Sequence, residues 1–324
     1  MKKLIALLLV LVMAVPLMAC DKDANAGGDY SKYTMGTGGS AGTYYAYGSV
    51  LSRYMTSGVG KNVTAVSTDG SKTNIIGIDY GDYQLATVQS DVMAYAWQGT
   101  RSFADEGSVQ SFRVIGGLYA EAVQLVTMDP SIKSVADLKG KNVSIGAPGS
   151  GVYFNAIDVL NAAGLQESDI KAQKQSFADS ADALKDGKID AAFIVAGAPT
   201  PAITELMTSS DAYLVPIDGD IAAKLMADCP FYAAYEIPAE TYKGQTEAVK
   251  TVTVKATMIV TADASEEDVY NLTKAIFENK DAITKEHAKG SELSIENAIA
   301  GMEAPFHAGA AKYFKEKGYD VKTN

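Results

Sequence analysis

Residues 36–45 read GTGGSAGTYY, and the fold follows from what stands on either side of them. Tyr33 to Gly36 predicts a short strand, Gly36 to Gly42 a glycine-rich turn, and Thr43 to Thr56 a helix. Outward from there, Val63 to Ser67 reads as a second strand, Ser71 to Tyr80 as a helix, Gln84 to Val88 as a third strand and Asp91 to Gln98 as another helix. Strands alternating with helices through short turns are the signature of βαβ units on a parallel sheet.

The same order recurs downstream. Val143 to Ala147 reads as a strand, Pro148 to Gly151 as a glycine-rich turn, Val152 to Ala163 as a helix that Gly164 can cap, and Ala191 to Val195 as a strand. Gly39-Ser40 falls on Gly149-Ser150, and Gly81-Asp82-Tyr83-Gln84-Leu85-Ala86 falls on Gly187-Lys188-Ile189-Asp190-Ala191-Ala192, at similar separations. Two matches in one order predict two similarly built lobes. Phe112 to Met128 and Thr251 to Thr261 are long β-rich runs of the kind that cross between lobes, so the C-terminal segment returns to the first lobe. That segment opens on Ser265-Glu266-Glu267-Asp268, a capping-box pattern, and places Val269, Leu272, Ile276 and Phe277 on one helical face, read as core packing. The expected division is 31–121 with 252–324 as one lobe and 122–251 as the other.

Ahead of the body, Lys2 and Lys3 precede an almost wholly apolar run from Leu4 to Met18 that closes on Leu17-Met18-Ala19-Cys20. This reads as an export signal over residues 1–19 ending in a lipobox. Cys20 becomes the acylated N-terminus, carrying chains such as palmitate, and residues 20–30 form a flexible tether. The run is too short for a membrane-spanning helix, which takes roughly 20 apolar residues. The expected location is outside the cell's cytoplasm, on the outer face of its membrane, held by lipid. With 28 Lys and Arg against 39 Asp and Glu the net charge is −11, and cleavage removes two of the lysines. Such a chain is a poor partner for nucleic acid or an anionic membrane surface, both of which need clustered positive charge. With Cys20 acylated, Cys229 has no partner, and a body of this size is stable without a disulfide.

A glycine-rich turn between strand and helix offers free N–H groups at the positive end of the helix dipole, a ready site for polar or anionic ligand groups. Ser40 and Thr43 add hydroxyls at one such turn, Ser150 at the facing lobe, and Thr68 to Ser71 and Gln89-Ser90 at neighbouring strand ends. Any one of these could simply cap its own helix; together they converge where open α/β sheets bind ligands. Tyr44 stands beside the turn, where a phenol packs on an apolar stem and donates to a polar end.

Competing motifs fail on context. Gly38-Gly39-Ser40-Ala41-Gly42 fits the G-x-S-x-G elbow of serine hydrolases, with His287 and His307 downstream, but only one strand of the mature chain precedes it. Gly36-x-Gly38-x-x-Ala41 resembles a dinucleotide fingerprint, but Asp69 lies too far along for the ribose contact. The histidines, Cys229 and the Asp79 and Asp82 pair match no metal-ligand spacing, so neither metal nor cofactor is expected.

Thr34 to Tyr45, Asp69-Gly70-Ser71, Val88-Gln89-Ser90-Asp91 with Tyr95, and Pro305 to Phe314 (PFHAGAAKYF) resemble the TAXI family, the extracytoplasmic solute receptors of TRAP transporters, over about Tyr33 to Tyr319. The resemblance implies an α/β, two-lobed periplasmic-binding-protein fold of type II with two hinge crossover strands. It implies a receptor rather than an enzyme, one that closes over a small carboxylate or amino acid such as glutamate and delivers it to membrane permease subunits. Carried over as ligand-binding positions are Ser40, Thr43, Tyr44, Ser71, Gln89 and Ser90 in the first lobe, with Ser150 and the Gly197 to Thr200 turn in the second. The sibling TRAP receptors pair the substrate carboxylate with an arginine. This chain has only Arg53, Arg101 and Arg113, none in the second lobe. A carboxylate would be held by N–H groups, hydroxyls and helix termini, or by Arg53 or Arg113 reaching in. An exported serine hydrolase using Ser40 and a sensor passing closure to a signalling partner are the alternatives.

Overall fold

The structure, a computed structural model, describes residues 28–324. The export signal, Cys20 and the tether up to residue 27 lie outside the described residues. β1 (Lys32–Gly36), α1 (Thr43–Val59), β2 (Asn62–Val66), α2 (Ser71–Asp79), β3 (Leu85–Gln89) and α3 (Ser90–Gln98) follow one another close to their expected bounds. β4 (Phe112–Thr127) is the long crossing run. The second half gives β5 (Asn142–Ser144), α4 (Val152–Ala162), β6 (Lys171–Gln173), α5 (Phe177–Lys185), β7 (Ala191–Ala196), α6 (Pro201–Ser209), β8 (Tyr213–Val215), α7 (Gly219–Asp228) and β9 (Ala233–Ile237). The second crossing run, β10 (Val249–Thr261), precedes α8 (Glu266–Glu278), α9 (Lys280–Glu286), α10 (Ile295–Ile299) and α11 (Ala308–Glu316).

One ten-stranded sheet runs through the molecule in the order β2-β1-β3-β10-β4-β7-β5-β6, with β8 beside β4 and β9 beside β10. The two halves repeat. In each, the first strand lies between the second and third in parallel, and the third then meets an antiparallel crossing strand, β10 against β3 and β4 against β7. β3 (LATVQ) and β7 (AAFIVA) are buried throughout, as strands covered on both faces must be. β4 and β10 pair with each other from Phe112 opposite Thr261 to Ala122 opposite Thr253, so the same two strands carry the chain out of one lobe and back.

The apolar core divides accordingly. One cluster joins Tyr33, Leu51 and Val88 of the N-terminal elements to Val269, Ile276 and Phe314 of the C-terminal ones. Two others are built between Ala122 and Val254. Ser265 caps α8 by accepting from the Asp268 N–H at 3.1 Å, and Val269, Leu272 and Ile276 are fully buried with Phe277 packed at the edge. The helical stripe is therefore core, as its sequence suggested. Residues 28–30, read as the end of a tether, are instead fastened to the body. Gly28 bridges to Ala264, and the Tyr30 hydroxyl donates to Asp263 at 2.8 Å. No helix among the described residues is long and apolar enough to cross a membrane.

Candidate functional site

A cavity of about 360 Å³ lies between the lobes, at the carboxyl ends of the strands. Its first-lobe wall is the Gly38–Tyr44 turn with Asp69, Gly70 and Ser71; its second-lobe wall is Ser150 to Val152 with Ser176 to Ala178. Four helices thus begin on it: α1, α2, α4 and α5. At the first three the N-cap is glycine (Gly42, Gly70, Gly151) and no side chain caps the first turn. At α2 the second and third N–H groups, of Lys72 and Thr73, are taken by the Gly149 carbonyl, so the leading N–H groups of α1 and α4, at the positive end of their dipoles, are the donors left for a ligand.

The hydroxyls do other work than capping. Thr43 Oγ1 donates to the Gly197 carbonyl at 2.7 Å, across the lobes. Ser71 Oγ accepts from the Gln89 N–H at 3.0 Å, and Ser150 Oγ donates to the Ala147 carbonyl at 2.7 Å. Ser40 lines the cavity on an exposed turn, where its hydroxyl makes no hydrogen bond to the described residues.

The floor is Glu121 on β4, only 1% exposed, with Tyr44 above it donating its hydroxyl to Oε2 at 3.0 Å. Burial pushes the Glu121 carboxyl well above the usual range. The Tyr44 hydroxyl pulls the other way, the charge on Asp91 adds to burial, and Gln89 and Lys289 oppose it. Burial and the Glu121 charge together raise the Tyr44 phenol well above its ordinary value. Glu121 was not read from sequence. Its only signal was being the single acid in the apolar run FRVIGGLYAEAVQLVT, which also marks ordinary strand ends.

The lobes are in contact around the cavity. The N–H groups of Lys72 and Thr73 donate to the Gly149 carbonyl at 3.1 and 3.2 Å, and that of Ala202 to Ala41 at 3.0 Å. Gln89 Nε2 donates to Asn155 Oδ1 at 3.0 Å, and Asn155 Nδ2 donates to Asp91 Oδ2 at 3.0 Å and to the Tyr232 hydroxyl at 2.9 Å. Tyr232 in turn donates to Asp158 Oδ2 at 3.1 Å, and Arg101, lying over the Tyr95 ring, pairs with Asp158 Oδ1 at 2.5 Å. Burial pushes the Asp91 carboxyl up to about 6, against the Asn155 amide and local N–H groups that hold it down. The glycines of the Pro148–Gly151 turn permit this approach. A Cβ at Gly149 would stand 2.1 Å from Thr73 Oγ1, and one at Gly151 1.6 Å from Gln89 Oε1.

Of the residues singled out from sequence, Ser40, Thr43, Tyr44, Ser71, Gln89 and Ser150 line the cavity together. Ser90, Gly197 and Thr200 do not. Ser90 Oγ accepts from the Lys255 N–H, Gly197 holds Thr43, and the Thr200 hydroxyl accepts from Gln124. Arg53 pairs with Glu286 outside, and Arg113 lies over Trp97 and donates to the Gln110 carbonyl, so neither reaches in. Neither histidine is near Ser40's cavity: His287 packs on Tyr47, and His307 caps α11 and contacts the Ala264 carbonyl. Among the described residues no three His, Cys, Asp or Glu are grouped to hold a metal ion. Cys229 is free and buried, 3.8 Å from the Tyr95 hydroxyl.

The model of the NMT1-like family matches residues 35–318. Among solved structures, the chain is similar to the alkanesulfonate-binding protein of Xanthomonas axonopodis pv. citri bound to MOPS, at 17% identity over 90% of this chain and 92% of that one, with a TM-score of 0.51. It is also similar to a putative L-cystine ABC transporter protein from Listeria monocytogenes, at 15% identity over 83% of this chain and 100% of that one, TM-score 0.51. The ligand-binding component of an ABC-type import system from Staphylococcus aureus, with zinc bound, matches at 9% identity over 91% and 94%, TM-score 0.52. The likeness is one of fold, the two-lobed α/β architecture of type II periplasmic binding proteins.

Proposed function

The chain belongs to the NMT1-like family, and from that premise we propose that it is an exported solute receptor, tethered by lipid at Cys20, that closes over a small organic acid or amino acid and delivers it to membrane permease subunits. The observation that carries this reading is the interlobe cavity onto which the uncapped N-termini of α1 and α4 open beside Tyr44 and Glu121. Residues 31–121 with 252–324 form one closing body and 122–251 the other; the division of the apolar core between them supports this. Ligand-binding roles fall to Ser40, Thr43, Tyr44, Ser71, Gln89 and Ser150. Ser90, Gly197 and Thr200 hold that wall in place. Ligand bridges the bodies and favours the closed arrangement by contacts that the open one lacks.

The resemblance to TAXI receptors favours a permease of the TRAP type, whereas the Listeria and Staphylococcus proteins are described as belonging to an ABC transporter and an ABC-type import system. Uptake in intact cells separates the two, because collapse of the ion gradient stops the first and depletion of ATP stops the second. Binding itself is tested by melting the lipid-free body against a panel of small acids and amino acids. A rise in melting temperature with a compact solute is expected. A folded protein that no compound stabilises would end the receptor reading.

A further inference from the structure

Glu121 raises a question that solute capture leaves open, namely which charge the ligand carries. Its carboxyl group is 1% exposed, lines the cavity, and accepts from the Tyr44 hydroxyl on Oε2 at 3.0 Å, with the neutral Gln89 amide beside it. A second carboxylate, Asp69, stands on the same lining, and no Lys, Arg or His does. The basic group that stands behind the wall, Lys289, is committed elsewhere. Its Nζ pairs with Glu292 Oε1 at 2.6 Å, while Glu292 Oε2 takes the Ala120 N–H at 2.8 Å. A carboxylate held out of water without an ion pair of its own is costly: it takes up a proton, or a ligand brings the opposite charge. The walls differ in kind: helix N-termini on the rim offer donors, and the floor offers an acceptor.

We propose, resting on the receptor reading, that Glu121 selects solutes bearing a protonated nitrogen, which seats over its carboxylate while the solute's acceptor groups meet the helix N-termini. The cavity thereby discriminates against acids that lack an amine. A dicarboxylate would set a second negative charge against Glu121 and Asp69. Burial of Glu121 opposes this step, because it favours the neutral carboxyl in the empty site; the arriving ammonium restores the charged form and its binding releases a proton.

The opposite arrangement, a protonated Glu121 donating to a ligand oxygen, is distinguished by Glu121→Gln. The amide can still donate and still accept from Tyr44, but cannot balance a cation. The experiment titrates the lipid-free body with three matched pairs: L-glutamate and glutarate, L-leucine and 4-methylpentanoate, cadaverine and 1,5-pentanediol. In the native protein the tightest member is expected to carry the amine and to exceed its partner by about tenfold or more. Glu121→Gln removes that margin, whereas Glu121→Asp, which keeps the charge and guards against a mere folding defect, retains a preference for the amine. An amine-free member binding as tightly as its partner, or a preference surviving Glu121→Gln, overturns the proposal and leaves the receptor reading standing. If none of the six binds the folded protein, the receptor reading falls, and this inference with it.

Discussion

Replacing Gly151 by alanine adds one methyl group at the point where the second lobe meets the first. The backbone there is ordinary right-handed, φ −75° and ψ −16°, so alanine fits the conformation and only its side chain matters. That Cβ would lie 1.6 Å from Gln89 Oε1, 2.7 Å from Gln89 Cδ and 2.6 Å from Val92 Cγ2. Gln89 cannot easily turn aside, because its Nε2 is bonded to Asn155 at 3.0 Å, and Val92 is fully buried on α3. The lobes must therefore separate by about the width of the clash. Overpacking of this kind costs about 1–3 kcal/mol. Because the neighbours belong to the other lobe, the penalty falls on the closed arrangement and leaves the open one untouched. The closed population, and the affinity of a solute that needs closure, should fall by about 5- to 150-fold. Calorimetric titration with the best stabilising solute measures the loss, and small-angle scattering measures whether the body still contracts on adding it. The melting temperature without solute should change little. If Gly151→Ala binds as tightly as the native protein and contracts equally, the lobes do not close in this register.

Asp91 gives a pH dependence with a definite sign. Its carboxyl rises from 3.8 to about 6 on folding, so the folded protein holds a proton that the unfolded chain releases between those values. Its contribution is present below about 4 and is lost as pH rises through about 6, on the order of 3 kcal/mol in all; melting curves across that window should show the decline, and Asp91→Asn should flatten it. Asp129, held near 2 by Ser131 and Lys141, acts in the opposite sense and loses its small, exposed contribution only in stronger acid. Asn155→Ala removes the amide shared by Gln89, Asp91 and Tyr232. About 1–3 kcal/mol of closure is expected to go with it, read as weaker solute binding and a smaller stabilisation by solute. Ser265→Ala uncaps α8, far from the cleft, so chemical denaturation should report a loss of about 1 kcal/mol with solute affinity unchanged.

Much of the first lobe was legible because each strand is an apolar run closed by glycine or a polar turn, and because the helices between them start at Thr43, Ser71 and Ser90 just after such turns. The second lobe was read only in part. β6 is three partly exposed residues, Lys171–Gln173, and α5 is a short polar helix, so neither carries enough apolar periodicity to stand out. That omission hid Ser176, Phe177 and Ala178, the part of the cleft wall where α5 begins. The turn logic found Ser40, Thr43, Tyr44, Ser71, Gln89 and Ser150 because glycine-flanked hydroxyls at strand ends have few other places to go. It could not separate lining from support, so Ser90 was grouped with them, and Gly197 and Thr200 came only with the family resemblance. Glu121 was invisible for a physical reason: a buried acid in a strand is recognisable only by what surrounds it in space, and its partner Tyr44 lies 77 residues away.

The central claim, that a small solute is held between the lobes on this wall, is tested most directly by crystallising the lipid-free body with the solute that stabilises it most. The account predicts density for that solute in the cavity, touching the α1 N-terminus on one side and Ser150 on the other, with its nitrogen on Glu121. Density bound on the outer surface, or a closed cavity that remains empty at saturating solute, would contradict it.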